Sequence, residues 1–244
     1  MPIKVLVNGA FGRMGQMTVK TISENANFVL AGQTGREYDL KKAIYDSGAQ
    51  VVVDFTHPEV VMQNTLLIIE AGARPVIGTT GLTKEQITQL QKSCAEKKLG
   101  GIIAPNFSLG GVLMMKHAKE IAKYMPHVEI IELHHDQKAD SPSGTALRSA
   151  ELIADAVENI NPTEKSTHET VVGARGARYR NIHIHAVRLP GFLAHQQIIF
   201  GSVGETLTLR HDSIDRQCFM PGVRFACEKV MELNQLVYGL EEIL

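Results

Sequence analysis

The chain has 244 residues, 44% of them hydrophobic, and 25 Lys plus Arg against 26 Asp plus Glu leave a formal net charge of −1. That balance excludes a global field able to gather nucleic acid or an anionic membrane, so any anion site must be local. Three scattered cysteines, Cys94, Cys218 and Cys227, have neither disulfide-framework nor zinc-ligand spacing. They predict no metal centre and suit a reducing, cytoplasmic compartment.

The first run, IKVLVNGA, is too short to span a membrane and lacks a signal-peptide layout, so neither secretion nor insertion is expected. From there short β-branched runs alternate with longer amphipathic stretches. Strands are predicted over 3–8, 28–33, 50–55, 75–78 and 101–104, with helices over 11–24, 40–45, 59–71 and 84–97 between them. This alternation argues a parallel sheet with crossover helices. The stretch PNFSLGG, from Pro105, punctuates the pattern, and Ser108 is placed to cap a helix running to about Tyr124. Beyond it come a strand over 128–134, a helix over 145–158, a polar loop at 163–167, and the period-two strands NIHIHAVRL, HQQIIFG and ETLTLRH, which read as a mainly antiparallel sheet. A last amphipathic stretch, 221–233, can return as a helix to pack on the first domain.

Between the first strand and its helix lies GAFGRMG, Gly9 to Gly15, one residue off the commonest dinucleotide-binding spacing. Small residues there let the backbone approach a pyrophosphate while the helix start offers unpaired N–H groups. A ligand-free glycine turn is the plainer reading, and the position after strand one counts against it. At the end of strand two, where an acid holds a ribose diol or an arginine a 2′-phosphate, stand Gly35 and Arg36, so NADPH is favoured at least as much as NADH. GTTG, Gly78 to Gly81, follows strand four. Thr79 and Thr80 are candidate cofactor contacts, and Thr83 is a candidate cap for the next helix.

The densest stretch is ELHHDQKADSPSGTA, from Glu132 to Ala146. As a strand ends, His134 and His135 point to opposite faces and cannot share one task. A histidine exchanges a proton near neutral pH, Lys138 supplies a cation, and Ser143-Gly144-Thr145 opens a helix whose N–H groups suit a carboxylate. A solvated strand end followed by an ordinary capped helix is the competing reading. The adjacent histidines lack the i, i+4 spacing of helical zinc motifs.

Together, GAFGRMG, VVVDFTHPE, VIGTTG, APNFSLGG, EIIELHHDQKADSPSGTAL and GETLTLRHDSIDRQCFMPGV resemble the 4-hydroxy-tetrahydrodipicolinate reductases, the dihydrodipicolinate reductases of bacterial lysine and diaminopimelate synthesis, over essentially the whole chain. The resemblance implies a Rossmann-type parallel domain at 1–105 and 217–244, and a smaller α+β domain at 106–216 for substrate binding and oligomerisation. It makes His134 the proton donor or acceptor, Lys138 a proton donor, His135 a substrate contact, and Gly144 and Thr145 carboxylate contacts. The cofactor shell becomes Gly9, Ala10, Phe11, Gly12, Arg13, Met14, Arg36, Gly78, Thr79, Thr80, Ala104, Pro105, Asn106 and Phe107.

The implied reaction is NADPH- or NADH-dependent reduction of a cyclic dicarboxylate with loss of water, in a cytoplasmic homotetramer joined through the late strands. Arg175, Arg178, Arg180 and Arg188 are candidates to frame the substrate pocket. Gly35 departs from the family pattern, standing where many relatives carry an acid, and the segment from Arg36 to Val51 is shorter than in some. The alternatives are another nicotinamide-dependent amino- or hydroxy-acid dehydrogenase, or a dinucleotide-sensing module. A sensor has no use for a histidine and a lysine beside a carboxylate cradle.

Overall fold

The computed structural model describes residues 1–162 and 168–244, and the predicted polar loop at 163–167 lies outside the described residues. The chain divides into two compact units, Met1–Leu109 with Arg216–Leu244, and Gly110–Asp215.

The first unit alternates strand and helix: β1 Ile3–Asn8, α1 Arg13–Ser23, β2 Phe28–Thr34, α2 Leu40–Ser47, β3 Val51–Asp54, α3 Pro58–Glu70, β4 Arg74–Ile77, α4 Lys84–Glu96 and β5 Gly101–Ile103. The second unit carries α5 Leu109–Ala122, β6 His127–His134, α6 Gly144–Ala156, β7 Ala177–Tyr179, β8 Ile182–Arg188, β9 Ala194–Ser202 and β10 Glu205–Ser213. The chain then returns to the first unit through α7 Met220–Lys229 and β11 Leu236–Tyr238.

The six-stranded sheet has the order β11-β5-β4-β3-β1-β2, and all its pairs are parallel. Parallel strands need crossovers, and those helices cover both faces, so the strands read as near-continuous apolar runs. Val51, Val52 and Val53 are all fully buried. Leu6, Val52, Ile77 and Leu236 form one core with Ile44 from α2, Ile68 from α3 and Leu90 from α4. α7 packs against α1 and β1. The order reverses between β1 and β3, so ligands of such a sheet bind outside the strands' carboxyl ends at that point.

Glycine makes the first turn possible. Gly9 has φ +77°, and a Cβ there would stand 2.3 Å from the Phe55 carbonyl oxygen; one at Gly15 would stand 2.0 Å from the Gly9 carbonyl oxygen. No side chain fits either place, and the absence of both lets α1 start hard against the strand ends.

The five-stranded sheet runs β10-β9-β6-β8-β7. It is antiparallel except where β6 pairs with β8, a pair made parallel because α6 and β7 intervene as a crossover. Val128, Ile130, Ile184, Ile198 and Phe200 from one face pack with Met114, Ala118 and Ala122 of α5 and Ala146, Ala150 and Ile153 of α6. Ile131, Leu133 and Ile199, on the alternate positions, remain half-buried.

Several predicted ends move. The first helix begins at Arg13 rather than 11, because Gly12 is its extended N-cap (φ −79°, ψ 169°). The helix after Ser108 stops at Ala122, the next runs from Gly144 to Ala156, and α7 stops at Lys229. β7 and β11 were not predicted: with three residues each, neither shows a period, and β11 exists through its pairing with β5. Thr83 does cap α4, in a reciprocal box with Gln86.

Candidate functional site

In the first unit a groove of about 1050 Å³ runs along the carboxyl ends of the central strands. Gly9, Phe11 and Gly12 line it beside Gly35, Arg36 and Tyr38. Gly12 caps α1 without any side-chain hydrogen bond, and a Cβ there would meet only the Gly9 carbonyl oxygen, at 3.5 Å. An open helix start with glycine backbone at its rim is the cradle a pyrophosphate needs. The Phe11 and Tyr38 rings, 56% and 54% exposed, stack with centroids 5.9 Å apart and an interplanar angle of 28°. They offer flat apolar surface at the end of the groove that holds Arg36. These residues fit a pyridine dinucleotide.

The sequence-predicted contacts divide by exposure. Arg13 and Thr80 are exposed, and Met14, Pro105 and Asn106 half-buried. Ala10, Ala104 and Phe107 are buried, so their side chains shape the interior. Phe107 packs edge-on against Phe55, and both rings occupy the space a Cβ at Gly78 would need. The Thr79 hydroxyl is already engaged: it donates to Asp54 Oδ1 at 2.7 Å and accepts from the Thr56 N–H at 2.8 Å. Of the two acids after strand two, Asp39 caps α2 by accepting from the Lys42 N–H, while Glu37 lines the groove. Gly35 does more than omit a carboxylate, because a Cβ there would stand 3.0 Å from the Phe11 ring.

In the second unit one residue gathers the predicted chemistry, and it was not among the predicted site residues. Glu132, on β6, has no exposed surface. Arg188 on β8 forks onto it, Nη1 to Oε2 at 2.8 Å and Nη2 to Oε1 at 2.7 Å. His134 Nδ1 lies 2.5 Å from Oε2, and the Ser143 N–H donates to Oε1 at 3.1 Å. Arg188 Nη2 also donates to the Asp140 carbonyl at 2.8 Å, and the Asp140 carboxylate takes Lys138 Nζ at 2.5 Å. His134, Lys138 and the start of α6 are thereby tied through a single buried carboxylate.

Burial by itself would push the Glu132 carboxyl up, but the hydrogen bonds and charges of His134 and Arg188 win and hold it down at about 2. An acceptor-only carboxylate fixes the imidazole so that Nδ1–H donates, which leaves Nε2 to exchange protons. His134 is the last residue of β6 and shares a face with Glu132, two positions away; His135 lies past the strand end, in the loop to α6. Ser143 caps α6, its hydroxyl accepting from the Ala146 N–H. Gly144 follows, exposed, with nothing within 4 Å of where a Cβ would stand. Its N–H and that of Thr145 are at the helix start, where an anion is favoured.

The four arginines proposed to frame the pocket all have protein partners. Arg188 serves Glu132 and Asp140, Arg175 pairs with Glu129, Arg180 with Asp155, and Arg178 with Asn181. Among the described residues no group of three or more His, Cys, Asp or Glu is placed to hold a metal ion, and no helix is long and apolar enough to cross a membrane. Burial pushes the Cys94 thiol up to about 11, far from a nucleophile's range.

Two sequence profiles cover nearly the whole chain: "Dihydrodipicolinate reductase, N-terminus" matches residues 3–107 and "Dihydrodipicolinate reductase, C-terminus" residues 110–244. The chain belongs to the dihydrodipicolinate reductase family. It is 53% identical to the 4-hydroxy-tetrahydrodipicolinate reductase of Coxiella burnetii (strain RSA 493 / Nine Mile phase I) over 244 residues, covering 100% of both chains. It is 51% identical to that of Legionella pneumophila subsp. pneumophila (strain Philadelphia 1), with the same coverage. Among solved structures, the dipicolinate-bound dihydrodipicolinate reductase of Paenisporosarcina sp. TG-14 superposes with a TM-score of 0.90 at 45% identity, covering 100% of both chains. The apo scyllo-inositol dehydrogenase of Lactobacillus casei, at 12% identity and a TM-score of 0.66, shares the fold alone. Dihydrodipicolinate reductases are NAD(P)H-dependent oxidoreductases of the diaminopimelate route to lysine, and that function is the one this chain carries.

The Glu132 cluster predicts an acid-sensitive element. A carboxyl held at about 2 in the native state, against an ordinary value of 4.5, stabilises the fold fully above pH 4.5, and that stabilisation is lost as pH falls toward 2. Its full size is on the order of 3 kcal/mol. Glu132→Gln is expected to lower stability at pH 7 by about 3 kcal/mol, because the buried site loses the charge that its hydrogen bonds to His134 and the half-buried Arg188 are built on. It is also expected to flatten the dependence of stability on pH between 4.5 and 2, as checked by urea denaturation across that window.

Proposed function

We propose that the second unit carries out the proton chemistry of 4-hydroxy-tetrahydrodipicolinate reduction through His134 and Lys138, with the substrate held at the start of α6. The observation that carries this reading is the buried Glu132 carboxylate, which joins His134, Arg188 and the Ser143 N–H. A structural ion pair alone has no need to orient an imidazole and a helix start together.

The reduced nicotinamide, when bound, supplies the hydride. As the substrate ring accepts it, electron density moves toward the ring nitrogen, and a cation with a proton donor stabilises that charge better than the neutral ground state. Lys138 fits: its ammonium has three donors, of which Asp140 takes one, so two remain for substrate. The substrate hydroxyl leaves as water, and His134 Nε2 gives or takes the proton exchanged in that step while Glu132 holds the ring. His135, off the strand, contacts substrate, and one carboxylate sits on the Gly144 and Thr145 N–H groups. A planar dicarboxylate such as the dipicolinate bound by the Paenisporosarcina relative suits that cradle.

In the first unit, Gly9, Ala10, Phe11, Gly12, Arg13 and Met14 would hold the pyrophosphate. Gly78, Thr79 and Thr80, with Ala104, Pro105, Asn106 and Phe107, would complete the cofactor shell, and Arg36 would receive a 2′-phosphate. The half-buried Ile131, Leu133 and Ile199 belong to a sheet face that a second copy would cover, which supports assembly into a cytoplasmic homotetramer through these strands. Light scattering is expected to give about four times the 26.8 kDa chain mass, and a fully active monomer contradicts it.

Lys138→Ala is expected to lower kcat/KM by about 10²–10⁴-fold, the scale of a lost proton donor, with NADPH affinity nearly unchanged. His134→Ala is expected to act mainly on kcat and His135→Ala mainly on KM, read by steady-state kinetics following NADPH oxidation.

Cofactor choice rests on Arg36. A charge-assisted contact to a 2′-phosphate is worth about 1.5–3 kcal/mol, one to two decades in affinity, so Arg36→Ala is expected to weaken NADPH and spare NADH in direct titrations. Gly35→Glu is expected to shift preference toward NADH, and must also displace the Phe11 ring. Equal weakening of both cofactors by Arg36→Ala means that the residue shapes the adenosine pocket instead.

A further inference from the structure

The first unit contains a buried carboxylate that is not itself among the proposed cofactor contacts. Asp54, the last residue of β3, has no exposed surface. Donors converge on both its oxygens. Asn8 Nδ2 at 2.8 Å and Asn64 Nδ2 at 3.1 Å reach Oδ2. The Thr56 N–H at 3.1 Å, the Thr56 hydroxyl at 2.7 Å and the Thr79 hydroxyl at 2.7 Å reach Oδ1. None of the ion pairs among the described residues involves Asp54. Taking a carboxylate out of water with only neutral partners is unfavourable unless every lone pair is used, and here the donors do use them. For packing alone, an apolar side chain would serve at lower cost.

The donors' positions show what the carboxylate does. Asn8 ends β1 and leads into Gly9, and its Oδ1 accepts the Thr34 hydroxyl at 2.9 Å. Thr34 ends β2 and leads into Gly35 and Arg36. Thr56 follows β3 and lines the groove, as does Asn64 from α3. Thr79 follows β4 and Gly78, and accepts from the Thr56 N–H. One carboxylate therefore sits where four strand ends meet, and the residues that follow β1, β2 and β3 line the groove.

We infer that Asp54 is a positioning residue for the dinucleotide: it sets the mutual placement of the β1, β2, β3 and β4 ends before the cofactor arrives. The inference rests on the assignment of that groove to NAD(P)H. Preorganised contacts avoid ordering costs on binding, so loosening them weakens affinity without touching the proton chemistry.

The test is Asp54→Asn, which keeps the shape but places an amide NH₂ against groups that themselves donate. NADPH and NADH affinities are measured without substrate by nucleotide fluorescence titration, and kcat separately at saturating cofactor. Both dissociation constants are expected to rise about 10- to 100-fold, the scale of a lost charge-assisted contact, with kcat within about threefold. Native dissociation constants, or a fall in kcat with affinity intact, overturn the inference. If Asp54→Asn does not fold, Thr34→Val carries the test, removing the buried link from β2 through Asn8 to the carboxylate without touching the groove lining; unchanged affinity overturns the inference equally. Gly12→Val, titrated alongside, fills the pyrophosphate cradle. If it weakens NADPH while the Asp54 and Thr34 variants do not, only the positioning role fails. If it too binds natively, the groove assignment fails and the inference with it.

Discussion

A carboxylate with no access to water has to be matched by donors, and Glu132 meets that requirement by joining two strands and a helix start of its unit. Arg188 comes from a neighbouring strand, His134 from two residues along the same strand, and the Ser143 N–H from the helix start eleven residues later. Each is less well placed alone: a half-buried arginine without its carboxylate, a histidine without a fixed tautomer, a helix start without an anchor. Placed together they satisfy one another, and the loop that carries His135, Lys138 and Asp140 is held at both ends.

The dinucleotide unit solves a different problem in a related way. A parallel sheet delivers several strand ends to one edge, and those ends leave the sheet as separate loops with no reason to keep a common arrangement. Asp54 gives them one, through neutral donors instead of a guanidinium. The contrast fits the surroundings. A phosphate-binding groove gains from having its cations at the rim, as Arg36 is, while a site that handles protons gains from a charged hub that fixes which nitrogen carries the hydrogen.

The same accounting separates scaffold from chemistry. A Rossmann-type sheet with a second, mixed sheet serves many dehydrogenases, so the architecture alone says little about the reaction. What narrows it is a small set of polar side chains, His134, Lys138 and Glu132 among them, with defined partners. The arginines show the converse: each is already matched to an acid, an amide or a carbonyl, where composition alone would have offered it to substrate.

The sequence by itself determined the features that rest on local pattern. Alternating β-branched and amphipathic runs specify parallel strands and crossover helices, GAFGRMG specifies a tight strand-to-helix turn, and the HHDQKADSPSGTA run specifies a strand end, a loop and a capped helix start. These follow because periodicity, glycine geometry and capping act within a few residues. Only the tertiary structure decided that Glu132 joins Arg188, 56 residues away, and that Asp54 joins Asn8, 46 residues away. It also decided that β6 and β8 run parallel and that β11 completes the first sheet beside β5. Glu132 and Asp54 both stand inside distinctive motifs, EIIELHHDQKADSPSGTAL and VVVDFTHPE, yet neither motif says what its acid does, because a carboxylate's meaning lies in which donors surround it once water is gone, and that is settled when distant strands meet.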